Sequence, residues 1–204
     1  CDWSSDVCSS DLKRRSRARC STAACMVRLA CLVLLCGISS NAAQAQGVAA
    51  SRPVVTAVAI DRPLAFDGHL NEPIYERVAP FSRFVQYEPA NGQPATEGSE
   101  AWVLFDTSSL YVSVRNWDSH PERMVANELR HDATALTQNE QVTITIDTFH
   151  DGRSGFVFLV NALGGMLEET FTDERNASRD WNAVWDARVA RFAGGWSVEM
   201  RIPF

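Results

Sequence analysis

The chain has 204 residues and an acidic composition, with 25 Asp and Glu against 19 Lys and Arg and a formal net charge of −6. An acidic surplus argues against nucleic acid as a partner, because binding to phosphates relies on clustered basic side chains. All six cysteines lie at or before Cys36, so disulfides, thiolate metal sites and cysteine nucleophiles are excluded from the rest of the chain. The remaining length is enough for one domain with a sizeable core.

Two N-terminal segments differ in composition from the rest of the chain. Residues 1–12 resemble the translation of a sequencing adapter, and we interpret them as an artefact. Residues 13–45 have the features of an export signal, namely a start at Met26, the apolar run Leu29–Ile38 and a small-x-small cleavage site ending at Ala45. The apolar run is shorter than the roughly 20 residues needed to cross a bilayer. We therefore expect an exported protein, located in the periplasm, the outer membrane or the extracellular space.

After a linker over 46–53, residues 54–204 contain short strand patterns separated by turn residues, and a short helical piece within Asp67–Arg77. This pattern predicts an all-β fold, a single-domain antiparallel β-sandwich of the immunoglobulin or jelly-roll type. The predicted strands are Val54–Ile60, Phe81–Tyr87, Glu100–Phe105, Leu110–Trp117, Val125–Arg130, Gln141–Thr148, Phe156–Ala162, Met166–Thr172, Trp185–Phe192 and Trp196–Ile202.

The last predicted hairpin has the most regular alternation. Ala193–Gly195 forms its turn, since glycine adopts positive φ without a steric cost. The returning strand Trp196–Ile202 places apolar residues on one face and Ser197, Glu199 and Arg201 on the other. We therefore expect one face of this strand to contact the core and the other to contact water.

Five residues are candidates for ligand binding because they combine flat aromatic rings with polar groups. Trp181, Asn182 and Trp185 lie at or just before the start of the last hairpin, where a loop can present rings to a ligand. Trp117 and Arg115 leave the same face of a predicted strand, opposite its apolar residues. An indole ring stacks on the C–H face of a sugar while polar groups bind its hydroxyls. The alternative is packing, by a tryptophan pair that closes the end of the sandwich and by a surface cation–π pair.

Three blocks of sequence together resemble family 9 carbohydrate-binding modules. They are Ala65–Tyr75 (AFDGHLNEPIY), Ala101–Asp118 (AWVLFDTSSLYVSVRNWD) and Asp180–Phe204 (DWNAVWDARVARFAGGWSVEMRIPF), in the order of that family. The resemblance covers about 54–204, and it is greatest to the variant at the N-terminus of bacterial surface proteins with a C-terminal domain of unknown function. It implies a carbohydrate-binding β-sandwich and a covalent continuation into a membrane β region beyond Phe204.

The resemblance also implies binding residues and an ion. In the family a sugar is held between two tryptophans, with an asparagine three residues before the second, which is the spacing of Asn182 and Trp185. Structural calcium accompanies the family, and carboxylates that border predicted loops suit a hard cation. The candidate ligands are Asp147, Asp173 and Asp180.

The expected function is non-catalytic carbohydrate binding that supports polysaccharide capture or catabolism. The sequence has no serine-hydrolase, zinc-hydrolase or phosphate-loop motif, so hydrolysis of O-glycosyl bonds is expected only of associated enzymes. Two alternatives remain open. Related sandwiches bind haem through a methionine and a histidine or lysine, and Met124, Met166 and Met200 are available here. The other alternative is a structural periplasmic domain of an outer-membrane β-barrel protein.

Overall fold

The computed structural model describes residues 53–173 and 176–204. The expected adapter-derived segment, the export signal and all but the last residue of the expected linker lie outside these ranges. In the described part of the chain, no helix is both long and apolar enough to span a membrane.

The regular structure in these ranges consists of short strands and one short α-helix. Single segments of 3-10 helix lie at Pro121–Arg123 and Thr134–Gln138. In chain order the elements are β1 (Val58–Ala59), α1 (Pro73–Arg77), β2 (Ser99–Phe105), β3 (Ser109–Trp117), β4 (Gln141–Ile146), β5 (Gly155–Asn161), β6 (Met166–Thr172), β7 (Asn176–Ser178), β8 (Asp186–Phe192) and β9 (Gly195–Pro203).

The strands form two sheets that pack face to face. One sheet has the order β1-β2-β3-β9-β8 and the other the order β4-β5-β6-β7. Neighbouring strands are antiparallel, apart from the short parallel pair of β1 with β2. Alternate residues of β3 and β9, such as Val112 and Met200, pack with Val160 of β5 in the core between the sheets. The prediction of an all-β sandwich is therefore confirmed.

Three predicted strands are mostly or entirely absent, and Gln141–Thr148 is two residues shorter as β4. The first is reduced to β1, an edge strand that pairs with β2 at two positions. Phe81–Tyr87 makes two isolated bridges, and Val125–Arg130 forms no strand. In the latter segment the N–H groups of Asn127 and Glu128 donate to the side-chain oxygen of Asn139. A side chain thus satisfies the backbone donors that a neighbouring strand would otherwise bind.

The expectation that one face of the last strand contacts water holds for Arg201, whose side chain is 42% exposed, but is wrong for Ser197 and Glu199. Ser197 and Glu199 are both buried, because β9 lies between β3 and β8 and a preceding segment covers its outer face. The Glu199 carboxylate accepts hydrogen bonds from the Gly68 N–H at 2.9 Å and from the Tyr75 hydroxyl at 2.8 Å. Ser197 Oγ donates to the Gly68 carbonyl at 2.6 Å. Two polar residues of β9 therefore hold the Gly68 region against the sheet.

A second, smaller core forms where this covering segment meets the five-stranded sheet. Tyr75 of α1 packs edge-on against Trp102 of β2, with ring centroids 5.3 Å apart. Leu70, Leu104 and Tyr111 are buried in the same cluster. The five-stranded sheet is thus covered on both faces, by the other sheet and by the segment that includes Gly68 and α1.

Gly68 provides a test of this close approach. It has a φ of +87°, and a Cβ added there would lie 2.6 Å from the Val189 carbonyl carbon and 2.8 Å from the Ala190 nitrogen. We expect Gly68→Ala to lower the free energy of unfolding by about 3 kcal/mol, since backbone strain and overpacking each cost roughly 1–3 kcal/mol.

Gly92 is the matched control, because it has a similar φ of +78° and no atom within 4 Å of an added Cβ. Gly92→Ala should cost only about 1–2 kcal/mol, from the left-handed conformation alone. Urea unfolding of both variants measures the difference, and equal losses would contradict the tight contact at Gly68.

Glu199 gives a pH-dependent prediction. Burial raises the pKa of its carboxyl above the ordinary 4.5, against the lowering effect of the hydrogen bonds from Gly68 and Tyr75. Above pH 4.5 the native state therefore binds more protons than the unfolded chain, and this contribution to the free energy of unfolding falls as the pH rises through the native pKa.

Glu199→Gln should lose the pH-dependent contribution to the free energy of unfolding while keeping the hydrogen bonds with Gly68 and Tyr75. The amide oxygen can accept from Gly68 and the amide nitrogen can donate to the Tyr75 oxygen, which then donates to Ser113. We expect the stability of the variant relative to wild type to increase between pH 4.5 and 8 in urea unfolding. A stability difference that stays constant over this range would show that Glu199 does not titrate as described.

Candidate functional site

A cleft of about 560 Å³ opens at one end of the sandwich, between the two sheets. The five-stranded sheet contributes the start of β3 and the end of β9, and the four-stranded sheet contributes β5 and the end of β4. The loop before β8 closes one side. The lining residues are Leu110, Ile146, Thr148, Phe156, Phe158, Trp181, Asn182, Ala183, Val184, Ile202, Pro203 and Phe204.

Trp181 and Asn182, both predicted from sequence, line this cleft together. The Trp181 ring packs against Phe156 and Phe158, with centroids 4.7 and 5.9 Å apart. Two contacts with β5 fix the orientation of the indole, while Asn182 is exposed at the rim. Asn182 and Thr148 have the polar side chains among the residues that line the cleft, and none of the lining side chains is charged. The cleft is therefore an apolar surface with two neutral hydrogen-bonding groups.

Trp185 has a different environment. Its indole N–H donates to the Glu168 carboxylate at 2.9 Å, and its ring packs edge-on against Phe158 at 5.0 Å. It lies against the main core and does not line the cleft that contains Asn182. The structure therefore does not bring Asn182 and Trp185 to the same cavity. A role for Trp185 in binding stays a prediction, and its contacts are those of a packing residue.

Glu168 is a residue whose importance sequence reasoning missed. It lies within β6 and is 2% exposed. Its carboxylate accepts from the Ala183 backbone N–H at 3.3 Å as well as from Trp185. It therefore anchors the loop that carries Trp181 and Asn182. A Glu-Glu pair in a strand gives no sequence signal for which member is buried.

Trp117 and Arg115 lie at the other end of β3. Seven residues separate Leu110 from Trp117, which corresponds to about 23 Å along a strand. The Arg115 guanidinium lies 5.3 Å from the Trp102 ring and 5.9 Å from the Trp117 ring. It also pairs with Glu100 at 3.2 Å and donates to a backbone carbonyl at 2.7 Å. Arg115 is thus held by existing contacts, as the packing alternative predicts.

The Trp117 ring is 38% exposed and borders a groove of about 460 Å³. One side of the ring lies on Gly98, where an added Cβ would be 3.2 Å from the indole. The groove also includes the carboxylates of Glu97, Asp118 and Glu140. The predicted binding residues therefore belong to two separate surfaces, an apolar cleft and an acidic groove.

The carboxylates expected to bind calcium do not converge. Asp147 accepts hydrogen bonds from the backbone N–H groups of its own loop, including Gly152 at 2.8 Å. Asp173 pairs with Arg153 at 2.8 Å. In the described ranges, neither they nor Asp180 belong to a group of three side chains spaced to hold an ion. Calcium binding by these residues therefore stays a prediction.

The residues available for haem are also poorly placed. Met200 is completely buried between the sheets, and Met166 and Met124 pack against the same core. An axial ligand has to reach an open pocket, so this arrangement does not favour the haem alternative.

No family model matches the sequence, and no curated protein does. The fold is similar to a family 9 carbohydrate-binding module from Caldicellulosiruptor kristjanssonii, solved with cellotriose and with glucose. The cellotriose complex has a TM-score of 0.50 at 17% identity, over 72% of this chain and 66% of that one. The glucose complex has a TM-score of 0.51 at 17% identity, over 74% and 69%. A proposed carbohydrate-binding protein from Bacteroides uniformis gives 0.50 at 10% identity, over 63% and 61%.

These similarities establish a shared β-sandwich fold. The chain spans about two thirds of the length of the Caldicellulosiruptor module, with 66% and 69% of that chain covered in its two complexes.

Trp185 yields a stability prediction. Trp185→Ala should lower the free energy of unfolding by about 3–5 kcal/mol, as for a packed core tryptophan. Trp185→Phe keeps most of the ring but leaves the buried Glu168 without its indole donor, at a cost of about 1–3 kcal/mol. Trp117→Ala is the control with an exposed ring and should cost less than Trp185→Ala. A Trp185→Ala variant with near-native urea unfolding would instead support an exposed ligand-binding ring.

Proposed function

We propose that this β-sandwich binds a neutral carbohydrate in the cleft of Trp181 and Asn182. The observation that supports this most directly is an oriented indole ring beside an exposed amide in a cleft of about 560 Å³. The proposal also draws on the shared fold, because the Caldicellulosiruptor module was solved with cellotriose and glucose.

The chemistry of the lining suits a sugar ring. The C–H face of a pyranose stacks on an indole, and the hydroxyls at its edge need hydrogen-bond partners. The Asn182 amide can both donate and accept, and the Thr148 hydroxyl can do the same from the segment that follows β4. An uncharged lining favours a neutral sugar over a uronic acid or a protonated amino sugar, since a charged ligand would lose hydration without a compensating partner.

The cleft favours binding without catalysis. Glycoside hydrolysis in most families requires two carboxyl groups that flank the bond. None of the residues that line the cleft carries a carboxyl side chain. We therefore propose a non-catalytic module of the family 9 type, exported and supporting polysaccharide capture or catabolism, with hydrolysis performed by other proteins.

The experiment compares single substitutions on the two candidate surfaces. A glycan array on the full chain identifies a ligand, and calorimetry then measures its affinity for each variant. Trp181→Ala should weaken binding about tenfold or more, because loss of ring stacking and apolar contact removes roughly 1.4 kcal/mol or more. Asn182→Ala should weaken it about threefold to tenfold, as expected for one hydrogen bond of roughly 0.5–1.5 kcal/mol.

Trp117→Ala is the matched control, since it removes an exposed tryptophan from the acidic groove at the other end of β3. It should leave affinity unchanged, and thermal melting checks that every variant is folded. Loss of binding in Trp117→Ala with none in Trp181→Ala would move the site to the groove. An array without any bound glycan would overturn the proposed function.

A further inference from the structure

His131 lies between two carboxylates at the anchor of the binding loop. Its Nδ1 atom is 2.9 Å from Asp132 Oδ2, and its Nε2 atom is 3.2 Å from Glu168 Oε2. The three side chains form a group whose ligand-type atoms all lie within 4.8 Å of one another. His131 and Asp132 are adjacent in the chain, and the fold brings Glu168 of β6 to them.

The group of His131, Asp132 and Glu168 has more hydrogen-bond acceptors in mutual contact than it has donors. A neutral imidazole has one N–H donor, and its other nitrogen carries a lone pair. Both nitrogens here face a carboxylate oxygen, so one contact places two acceptors against each other unless a cation or a second ring proton lies between them. A neutral imidazole nitrogen facing carboxylate oxygens is also the arrangement of ligands around zinc.

Two further observations indicate missing positive charge. Glu168 is 2% exposed, and in the described part of the chain its ion-pair partner is His131, with no arginine within salt-bridge distance. Asp132 Oδ1 is buried and has no hydrogen-bond partner. Glu168 accepts from the Ala183 N–H and the Trp185 indole but has no permanent positive charge beside it within the described ranges, whereas Asp132 Oδ1 has no donor at all there. A metal ion would supply charge to the first carboxylate and a partner to the second.

We propose that His131, Asp132 and Glu168 bind a divalent transition-metal ion of the Zn²⁺ class. Zinc takes His nitrogen and carboxylate oxygen at about 2.0–2.2 Å, so ligand atoms that now lie within 4.8 Å of one another would have to close in around the ion. An imidazole ligand favours zinc over calcium or magnesium, which prefer oxygen ligands. The His131 side chain is 49% exposed and that of Asp132 31%, which gives the ion access from solvent.

The ion would stabilise the loop as well as the site. Glu168 also accepts from Ala183 and Trp185, so an ion bound to its carboxylate fixes the support of the segment that carries Trp181. The metal site does not depend on the proposed carbohydrate function, because none of its three residues lines the cleft.

The test is zinc titration of the metal-free full chain. The cysteines at or before Cys36 are first alkylated, because free thiols bind zinc themselves. Calorimetry with ZnCl₂ should show one binding site in wild type. His131→Ala should bind zinc at least tenfold more weakly or not at all. His131 is half exposed, so this variant should fold, and thermal melting without zinc checks this.

His120→Ala is the matched control, because His120 is also exposed beside a carboxylate, at 3.4 Å from Glu122, but lacks a buried partner. It should bind zinc as wild type does, and the melting temperature of both should rise by several degrees in saturating zinc. Equal zinc uptake by wild type and His131→Ala, or no uptake by either, would overturn the site. Calcium binding as tight as zinc binding would overturn the metal class.

Discussion

The Glu199 carboxylate holds the covering segment onto the five-stranded sheet. It lies at the centre of β9, fully buried, and accepts from the Gly68 backbone and the Tyr75 hydroxyl. Without these contacts the outer face of the sheet would expose the polar residues of β9 together with the apolar residues of the second core. Burial of Tyr75 raises the pKa of its hydroxyl, which therefore stays protonated as the donor that Glu199 requires. The covering segment thus completes the sandwich from outside.

A second buried carboxylate performs the same task for the loop before β8. Glu168 lies in β6 of the other sheet and accepts from Ala183 and Trp185, so the loop before β8 is attached to a rigid strand. Trp181 then packs on β5 and presents the cleft surface. Side chains supported in this way keep their orientation before a ligand arrives, which lowers the entropic cost of binding. Both carboxylates lie in strands, where local alternation alone does not reveal their role.

The sequence predicted the fold class and most strands of the two sheets, because alternation and turn residues are local signals. Met166–Thr172 agrees with β6 residue for residue. The sequence pattern could not reveal that β9 is covered on both faces, since the covering segment lies more than a hundred residues before β9 in the chain. Nor does a local pattern show that the Trp185 indole donates to Glu168, because the two residues are 17 positions apart and lie in different segments, the loop before β8 and β6. Asn139 accepts hydrogen bonds from the backbone of 125–130 in place of a neighbouring strand. Hydrophobic periodicity cannot predict such a contact between a side chain and the backbone.

The central claim is that a sugar contacts Trp181 in the cleft, and nuclear magnetic resonance tests it directly. Each tryptophan gives a separate indole N–H signal, which can be assigned by single substitutions. Titration with a glycan that the chain binds should shift the Trp181 indole and the Asn182 side-chain amide, while the Trp117 indole stays in place. Shifts confined to Trp117, or saturable binding that moves neither Trp181 nor Asn182, would contradict the account.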